Sequence, residues 1–228
     1  MINKNLIAIK KKIEITATRC GRSPDDIQLV AVSKRFPATT IEKAHLAGQT
    51  LFGENYIQEA KEKKELLGPT VRFHFIGHLQ SNKARIAAEI FDMVETIDRI
   101  KIARTLNKHL LSLDRRMDVL IQVNIGKDPN KSGAAPEECA FLLEQVKELE
   151  AINPVGLMTI TPITDNPEAS RPYFKKLAKL GKRLQTLNLL PENRIELSMG
   201  MSNDYIVAIE EGATLVRVGT ALFGQRPT

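Results

Sequence analysis

The sequence predicts a single α/β domain, a (β/α)8 TIM-type barrel with an additional N-terminal helix. Eight short apolar runs, most of them rich in β-branched residues, alternate with segments of helical periodicity. Such alternation implies parallel strands joined by right-handed crossovers, and eight is the number at which such a sheet closes. The length of 228 residues suits one barrel, so we assign 1–228 to one domain. An open, doubly wound sheet is the alternative.

The N-terminal segment supplies the additional helix. Apolar residues recur there at helical spacing, namely Leu6, Ile9, Ile13 and Ala17. Gly21 follows them as a stop signal, which predicts a helix at 3–20. The chain ends within about ten residues of the last strand, so the ring of helices lacks a full final member. We therefore expect this first helix to cover part of the outside of the barrel.

Strands and helices then follow in strict order. The apolar runs predict strands at 29–34, 50–52, 72–76, 93–97, 118–124, 155–160, 194–198 and 214–218. The segments between them predict helices at 39–47, 56–67, 82–90, 99–113, 136–149, 168–188 and 203–211. We expect Ser81 to cap the helix at 82–90.

The charge balance is basic but dispersed. Lys and Arg number 33 against 27 Asp and Glu, a net charge of +6. The run at 61–65 mixes signs at spacings that support helical ion pairs, which is typical of a solvated helix face. The chain has no Trp and no basic stripe with stacking aromatics. These features favour solvated helices plus an anion site, and they argue against nucleic acid as a partner.

The cysteines and the hydropathy indicate a compartment. Cys20 and Cys139 form no disulfide or metal framework of recognisable spacing, so we expect both to fill the core of a protein in a reducing cytoplasm. No apolar stretch approaches the roughly 20 residues that span a bilayer, and the N-terminus becomes charged before a signal-peptide apolar region develops. We expect a cytoplasmic location with no membrane contact.

Lys34 ends the first apolar run and is the first candidate for chemistry. In a parallel barrel the strand ends carry the ligand site, and a lysine there is a candidate amine nucleophile or Schiff-base former. The alternative is an ordinary solvated lysine. The other strand ends extend this rim, which is expected to contain Lys34, Asn55, His78, Asn124, Met158, Ser198 and Arg217.

Two turns of small residues follow the last two strands, at 198–203 and 218–221. Gly200 and Gly219 let backbone N–H groups approach an anion, Ser202 and Thr220 add hydroxyl donors, and a helix start after Ser202 adds its dipole. The glycines alternatively serve only the turns. Both turns at adjacent strand ends favour a phosphate site.

Arg217 lies within the last strand, where an inward guanidinium requires a hydrogen-bonding partner. Facing inward, it can donate to an aromatic nitrogen such as the pyridine of pyridoxal 5′-phosphate (PLP), whereas a surface position is the alternative. PLP is the cofactor that uses a lysine, an arginine and a phosphate site together. His74 and His78 lack a third metal ligand, so we predict no metal site. Asn55 and Asn124 either cap helices or contact the cofactor.

The sequence also resembles the pyridoxal phosphate homeostasis proteins. Matching motifs span nearly the whole chain, in order: Ala31-Val32-Ser33-Lys34, Phe52-Gly53-Glu54-Asn55, His74-Phe75-Ile76-Gly77-His78-Leu79-Gln80-Ser81-Asn82-Lys83, Gly156-Leu157-Met158-Thr159, Ser198-Met199-Gly200-Met201-Ser202, Val216-Arg217-Val218-Gly219-Thr220 and Phe223-Gly224. The resemblance implies a barrel similar to the N-terminal domain of alanine racemase, with PLP held as a Schiff base.

By that resemblance Lys34 carries the Schiff base and Arg217 faces the pyridine nitrogen. The turns at 198–202 and 219–220 hold the phosphate, and we count as cofactor-binding Lys34, Asn55, Ser198, Gly200, Met201, Ser202, Arg217, Gly219 and Thr220. The tail Gly224-Gln225-Arg226-Pro227-Thr228 departs from the family in lacking its Gly-x-Arg-x-Tyr ending.

The expected function is a PLP carrier that buffers or delivers the cofactor without being an enzyme. An arginine at the pyridine nitrogen leaves that nitrogen unprotonated and weakens the electron sink. An amino-acid racemase is the main alternative, although it needs an acid/base on the face opposite the lysine. A nucleic-acid-binding module is a third class, suggested by charge alone. The expected partners are PLP and PLP-dependent apo-enzymes, and the expected state is a monomer.

Overall fold

Eight parallel strands form a closed barrel in chain order. The computed structural model describes residues 1–162 and 164–225. The strands are β1 (Gln28–Val32), β2 (Leu51–Glu54), β3 (Arg72–Phe75), β4 (Met93–Ile97), β5 (Met117–Gln122), β6 (Ile152–Met158), β7 (Glu196–Ser198) and β8 (Leu215–Val218). Pairing of β1 with β8 places Gln28 opposite Leu215 and closes the barrel. The predicted barrel is confirmed, and the open sheet is excluded.

Helices surround the barrel and follow the strands in alternation. They are α1 (Ile2–Arg19), α2 (Ala38–Leu46), α3 (Ile57–Leu67), α4 (Ala84–Ile90), α5 (Ile100–Ser112), α6 (Cys139–Lys147), α7 (Arg171–Thr186), α8 (Tyr205–Glu210) and α9 (Thr220–Phe223). The last of these has only four residues. Within the described residues, the helix that follows the last strand is therefore short, as the sequence predicts.

Helix α1 covers the gap that the short α9 leaves. It packs against α8 and α9. Its buried face consists of the predicted apolar positions with Thr16, that is, Leu6, Ile9, Ile13, Thr16 and Ala17. The side chain of Asn5 donates to the Leu222 carbonyl over 3.0 Å, which ties the helix to the end of the described chain. Burial of an apolar face, and not helix propensity, holds this helix in place.

Several element boundaries differ from the prediction. The sixth strand begins earlier than expected and the seventh is reduced to three residues. Ser81 does not cap a helix, because it opens a short 3-10 turn (Ser81–Lys83) and α4 begins only at Ala84, with no side-chain cap at either start. Strand and helix ends depend on the pairing of neighbours, which local sequence signals do not contain.

Side chains of the strands alternate between the helix layer and the barrel interior. In β8, Val216 and Val218 join the main core between strands and helices, whereas Leu215 faces inward. The interior contains a small apolar cluster of Val30, Leu51, Leu120, Met158 and Leu215. Met158 therefore lies inside the barrel and not on the rim where the sequence analysis expected it. The interior cluster closes the barrel floor beneath its carboxyl-end mouth.

The two cysteines differ in environment. Cys139 is buried as expected, and burial raises the pKa of its thiol to about 12, so this thiol is unreactive. Cys20 is exposed, which contradicts its expected core position. It is the residue directly after the last residue of α1, at the C-terminal end of the helix.

Among the described residues, no helix combines the length and the apolar character that crossing a bilayer requires. The same part of the chain has no group of three or more His, Cys, Asp or Glu side chains that could hold a metal ion. Residues 226–228 of the atypical tail lie outside the described residues.

Candidate functional site

A cavity of about 250 Å³ opens at the carboxyl ends of the strands. Its walls consist of Val32, Lys34, Asn55, Ile76, Ile160, Met201, Ser202, Asn203, Arg217, Gly219 and Thr220. Most of the predicted site residues are therefore in one wall. A larger cleft of about 550 Å³ lies at the amino ends of β1 and β2, and its lining includes none of the predicted site residues. The chemistry of the side chains, and not the size of the cleft, identifies the candidate site.

Lys34 lies two residues beyond the end of β1, in a tight turn. Ser33 precedes it and is completely buried, and the Phe36 amide donates to the Ser33 carbonyl over 3.1 Å. Arg35 follows with a φ of 66°, a left-handed conformation that non-glycine residues adopt only where the surroundings enforce it. The backbone on both sides of Lys34 is thus held in a defined shape while its side chain reaches the cavity.

A buried group of charged side chains enforces this shape. We call it the outer cluster, and it consists of Ser33, Glu54, Glu59 and Lys63. Lys63 donates to the Ser33 carbonyl over 2.8 Å, to Glu54 Oε1 over 2.7 Å, and to Glu59. Because an ammonium group has three donors, all of its hydrogen bonds are made. Lys63 is only 4% exposed, so the solvated face expected at 61–65 is wrong at this position.

The outer cluster also holds the residue that follows Lys34. The Arg35 amide donates to Glu59 Oε1 over 2.6 Å, and the Ser33 hydroxyl donates to Glu54 Oε1 over 2.6 Å. Burial raises the pKa of Glu54 to about 7, although Lys63 and Ser33 act in the opposite direction. Glu54 therefore titrates near neutral pH between a neutral and an ionised form.

Arg217 faces the barrel interior and reaches the cavity floor. The residue is 4% exposed, which excludes the surface position that the sequence left open. Its guanidinium donates to Ser198 Oγ over 2.6 Å and to the Thr159 carbonyl over 2.7 Å. Burial lowers its pKa, whereas the charges of Glu95 and Asp204 act to raise it. The guanidinium is thus a fixed cation at the inner end of the cavity.

The two small-residue turns contact each other in the cavity wall, through hydrogen bonds to Ser202. Ser202 Oγ accepts hydrogen bonds from the Gly219 amide over 3.2 Å and from the Ala221 amide over 3.3 Å. Its lone pairs are engaged, so its own O–H remains to donate. Gly200 has a φ of 89°, and a Cβ there would lie 2.5 Å from the Ala208 Cβ. This turn therefore requires glycine.

The helix dipole predicted after Ser202 is smaller than expected. Helix α8 begins only at Tyr205 and has six residues. The hydroxyls of Ser202 and Thr220 are the side-chain donors at this end of the cavity. The amides of Met201, Gly219 and Ala221 donate within the turns, to Asp204 and Ser202.

Some predicted residues lie away from the cavity wall. Ser198 is completely buried below Arg217, and Gly200 shapes the turn from behind. His78 and Asn124 line an adjoining cavity of about 280 Å³, which shares Asn55, Ile76 and Ile160 with the first. The strand-end rim of the sequence analysis thus divides between two neighbouring cavities.

Apolar members of the wall were not predicted. Val32, Ile76 and Ile160 lie at or just beyond strand ends, and Asn203 lies in the turn after β7. Val32, Ile76 and Ile160 stand where strand ends were predicted, but their apolar side chains gave no signal of a place in the site. Glu95, which is completely buried in β4, was also missed because it stands in an apolar run without a motif.

The wall of the cavity fits a phosphorylated aromatic aldehyde. Lys34 supplies a primary amine, Arg217 a buried cation, and Ser202 and Thr220 supply hydroxyl donors. Asn55 Oδ1 is buried and, within the described part of the chain, has no hydrogen-bond partner. A buried amide oxygen without a partner indicates a place for a ligand group.

Comparisons with known proteins agree with this geometry. The model of the family described as "Alanine racemase, N-terminal domain" matches residues 5–227. A pyridoxal phosphate homeostasis protein of Haemophilus influenzae is 43% identical over 99% of this chain and 96% of its own length. The protein of the same name from Escherichia coli K12 is also 43% identical, over 99% of this chain and 97% of its own.

Solved structures of similar fold include PLP-binding and racemase proteins. PipY of Synechococcus elongatus, whose structure was determined with PLP bound, is 36% identical with a TM-score of 0.85, and the match covers 98% of this chain and all of PipY. An alanine racemase of Clostridium difficile shares the fold at 15% identity, with a TM-score of 0.72 over 96% of this chain and 60% of its own. On the basis of this full-length similarity, the chain belongs to the family of pyridoxal phosphate homeostasis proteins.

Proposed function

We propose that this chain binds PLP in the cavity at the carboxyl ends of the strands and acts as a carrier that buffers or delivers it. One observation carries the proposal: Lys34, Arg217 and the paired turns of Ser202 and Gly219 line the same 250 Å³ cavity. The PLP-bound structure of PipY supports the same ligand.

Each wall residue has a defined part in the proposal. When bound, PLP supplies an aldehyde that condenses with a primary amine to a Schiff base, with loss of water. Lys34 provides that amine, and Arg217 donates to the pyridine nitrogen. The Ser202 and Thr220 hydroxyls donate to the phosphate, whereas Met201 and Gly219 shape the turns beside it, because their amides donate to Asp204 and Ser202. Ser198 and Gly200 act from outside the wall, because the first contacts the Arg217 guanidinium and the second shapes the turn.

The wall supports a carrier in preference to a racemase. Racemisation requires acid/base groups on both faces of the substrate Cα. Among the described residues of the cavity wall, Lys34 and Arg217 are the titratable side chains, and Arg217 is fixed to Ser198 and Thr159. An arginine at the pyridine nitrogen also weakens the electron sink that proton removal needs. PLP-dependent apo-enzymes, a cytoplasmic location and a monomeric state stay predictions.

Two measurements test the proposal. Titration with PLP should produce a visible absorption band that borohydride abolishes, because reduction removes the Schiff base. With L- or D-alanine in excess, solvent deuterium should enter Cα at no more than a trace rate. No PLP-dependent band would refute cofactor binding. Exchange at ordinary enzyme turnover, on the order of 1 per second or faster, would refute the carrier and support the racemase.

A further inference from the structure

A chain of buried polar side chains crosses the barrel interior below the cavity. We call it the interior chain, and it consists of Arg217, Ser198, Glu95 and His74. Arg217 Nη1 lies 2.6 Å from Ser198 Oγ, Ser198 Oγ lies 2.5 Å from Glu95 Oε2, and Glu95 Oε1 lies 2.7 Å from His74 Nδ1. His74 lines a cleft at the amino-end mouth of the barrel. The chain thus connects the two ends of the barrel.

The guanidinium fixes the direction of the first two hydrogen bonds, and an ionised Glu95, which can only accept, fixes the third. A guanidinium has only donors, so Ser198 accepts from Arg217 and gives its single proton to Glu95. Glu95 then accepts from Ser198 on one oxygen and from His74 on the other. Every hydrogen bond of the interior chain is therefore donated in the direction of the Glu95 carboxylate.

Charge favours the same arrangement. Glu95 is completely buried and Arg217 is 4% exposed, so each requires a compensating charge. Burial by itself raises the pKa of Glu95, but the His74 hydrogen bond and charge, the charge of Arg217 and the Ser198 hydrogen bond together lower it. Glu95 is therefore ionised. Asp204 is the second carboxylate that acts on Arg217.

The barrel interior that the interior chain crosses is partly lined by apolar side chains. The same interior contains the buried apolar cluster of Val30, Leu51, Leu120, Met158 and Leu215. Where such residues exclude water, a lost partner is not replaced by solvent. The orientation of the guanidinium thus depends on Ser198 and Glu95 themselves.

We propose that Glu95 is a positioning residue for the cofactor site, which acts through Ser198 to fix the plane of the Arg217 guanidinium. The inference rests on the proposed function, in which Arg217 donates to the pyridine nitrogen. Glu95 does not line the cavity. It acts on Arg217 through Ser198, to which it is hydrogen-bonded. His74 holds the second oxygen of Glu95 and keeps the carboxylate aligned.

The test compares PLP with the analogue whose pyridine nitrogen is replaced by carbon. Both ligands carry the same aldehyde and phosphate, so the ratio of their dissociation constants isolates the contact to the ring nitrogen. We expect the wild-type protein to prefer PLP by about tenfold, the equivalent of one charge-assisted hydrogen bond. In Glu95→Gln and in Ser198→Ala this preference should fall to about threefold or less.

Glu196→Gln is the matched control. Glu196 is also in the barrel wall, in the same strand as Ser198, but it bonds to Thr214 and Arg194 and not to the interior chain. This variant should keep the wild-type preference. Ser198→Ala removes one hydroxyl and leaves both charges, so it decides the question if Glu95→Gln does not fold.

The outcomes separate the two proposals. Equal binding of both ligands by the wild-type protein would overturn the Arg217 contact, and the inference with it. A wild-type preference that persists unchanged in folded Ser198→Ala and Glu95→Gln would overturn the role of Glu95 and leave the proposed function standing. A fall in preference in Glu196→Gln as well would also overturn it, because the effect would then reflect general loosening of the barrel.

Discussion

Two buried groups of charged side chains flank the cavity, and they hold its two cationic residues in different ways. The outer cluster lies between the barrel and α3, where Lys63 and its carboxylates bind the backbone on both sides of Lys34. The interior chain lies inside the barrel, where Ser198 binds the Arg217 head group directly. One group fixes a main chain, and the other fixes a side chain.

In the proposed function the two cations have different tasks, and this accounts for the difference. A lysine that forms a covalent bond must present its amine at a defined place, and the outer cluster fixes the backbone on both sides of Lys34. An arginine that recognises a ring nitrogen needs a fixed plane, so the fold holds the guanidinium itself. The following changes test that division, from the largest expected effect to the smallest.

Lys63→Met should break the outer cluster. It removes the donor that Ser33, Glu54 and Glu59 share and leaves buried carboxylates without a counter-ion. We expect the free energy of unfolding to fall by about 3–5 kcal/mol in urea denaturation. Lys61→Met is the control, because Lys61 is 41% exposed and pairs with Glu65 only at 3.9 Å, so its change should stay within about 0.5 kcal/mol. Equal losses in the two variants would refute the structural role of Lys63.

The pH dependence of stability sharpens the same point. The pKa of Glu54 is raised from 4.5 to about 7 in the folded protein. A raised carboxyl pKa means that the folded state binds the proton more tightly, so its contribution is present at low pH and is lost as the pH rises from about 4.5 to 7. Relative to Glu54→Gln, the wild-type protein should lose up to about 3 kcal/mol of unfolding free energy over that window.

Urea denaturation at pH 5 and pH 8 measures this difference. Glu62→Gln is the matched control, since Glu62 is exposed on α3 and should leave the pH dependence unchanged. Parallel curves for wild type and Glu54→Gln would show that Glu54 does not titrate in this range.

The two small-residue turns, at 198–203 and 218–221, can be tested through ligand affinity. Ser202→Ala combined with Thr220→Val removes two hydroxyl donors from the cavity wall. We expect wild-type protein to bind PLP at least about tenfold more tightly than pyridoxal, and the double variant to narrow that preference by a comparable factor, about 1.4 kcal/mol. Absorbance or fluorescence titration of both ligands measures the ratio.

A double variant in α5, Ser112→Ala with Thr105→Val, controls for loss of hydroxyls elsewhere and should leave the ratio unchanged. An unchanged ratio in a folded Ser202→Ala, Thr220→Val protein would mean that the turns serve only the fold.

His74 gives the smallest effect, because it acts on Arg217 through two intermediaries. His74→Leu leaves Glu95 Oε1 without its donor, and the preference for PLP over its ring-carbon analogue should fall by about threefold, or about 0.7 kcal/mol. His74→Asn restores a short donor and should retain the wild-type ratio. If both variants behave alike, the hydrogen bond to Glu95 is not what transmits the effect.

The barrel and most of the cavity wall could be predicted because their signals are local. Lys34 ends an apolar run, and the turns after β7 and β8 contain the small residues that an anion site needs. The parallel topology then gathers strand ends on one face whatever the details of pairing. For this reason Ser202, Arg217 and Gly219 could be predicted to lie near Lys34 from the sequence alone.

Depth within the barrel could not be predicted. Ser198 pairs with Leu215 and so lies one interior layer below Arg217, although both residues stand near strand ends in the sequence. That layer depends on the stagger of the closed sheet, which no single strand specifies.

Burial of Lys63 was hidden for a related reason. Its neighbours at 61–65 alternate in sign, which is typical of a solvated helix. Its position is decided instead by long-range contacts with Ser33, 30 residues away, and Glu54. Charged residues that meet only in the folded state carry no pattern in the sequence.

Covalent mapping shows directly whether Lys34 is the lysine that reacts with PLP. PLP-loaded protein is reduced with borohydride, digested and analysed by peptide mass spectrometry, with Lys34→Arg as the control. We expect a PLP-sized adduct on Lys34 that is lost in the control. Lys63 should stay unmodified, because its three donors are engaged in the outer cluster. An adduct on Lys63 or on another lysine would contradict the assignment of Lys34.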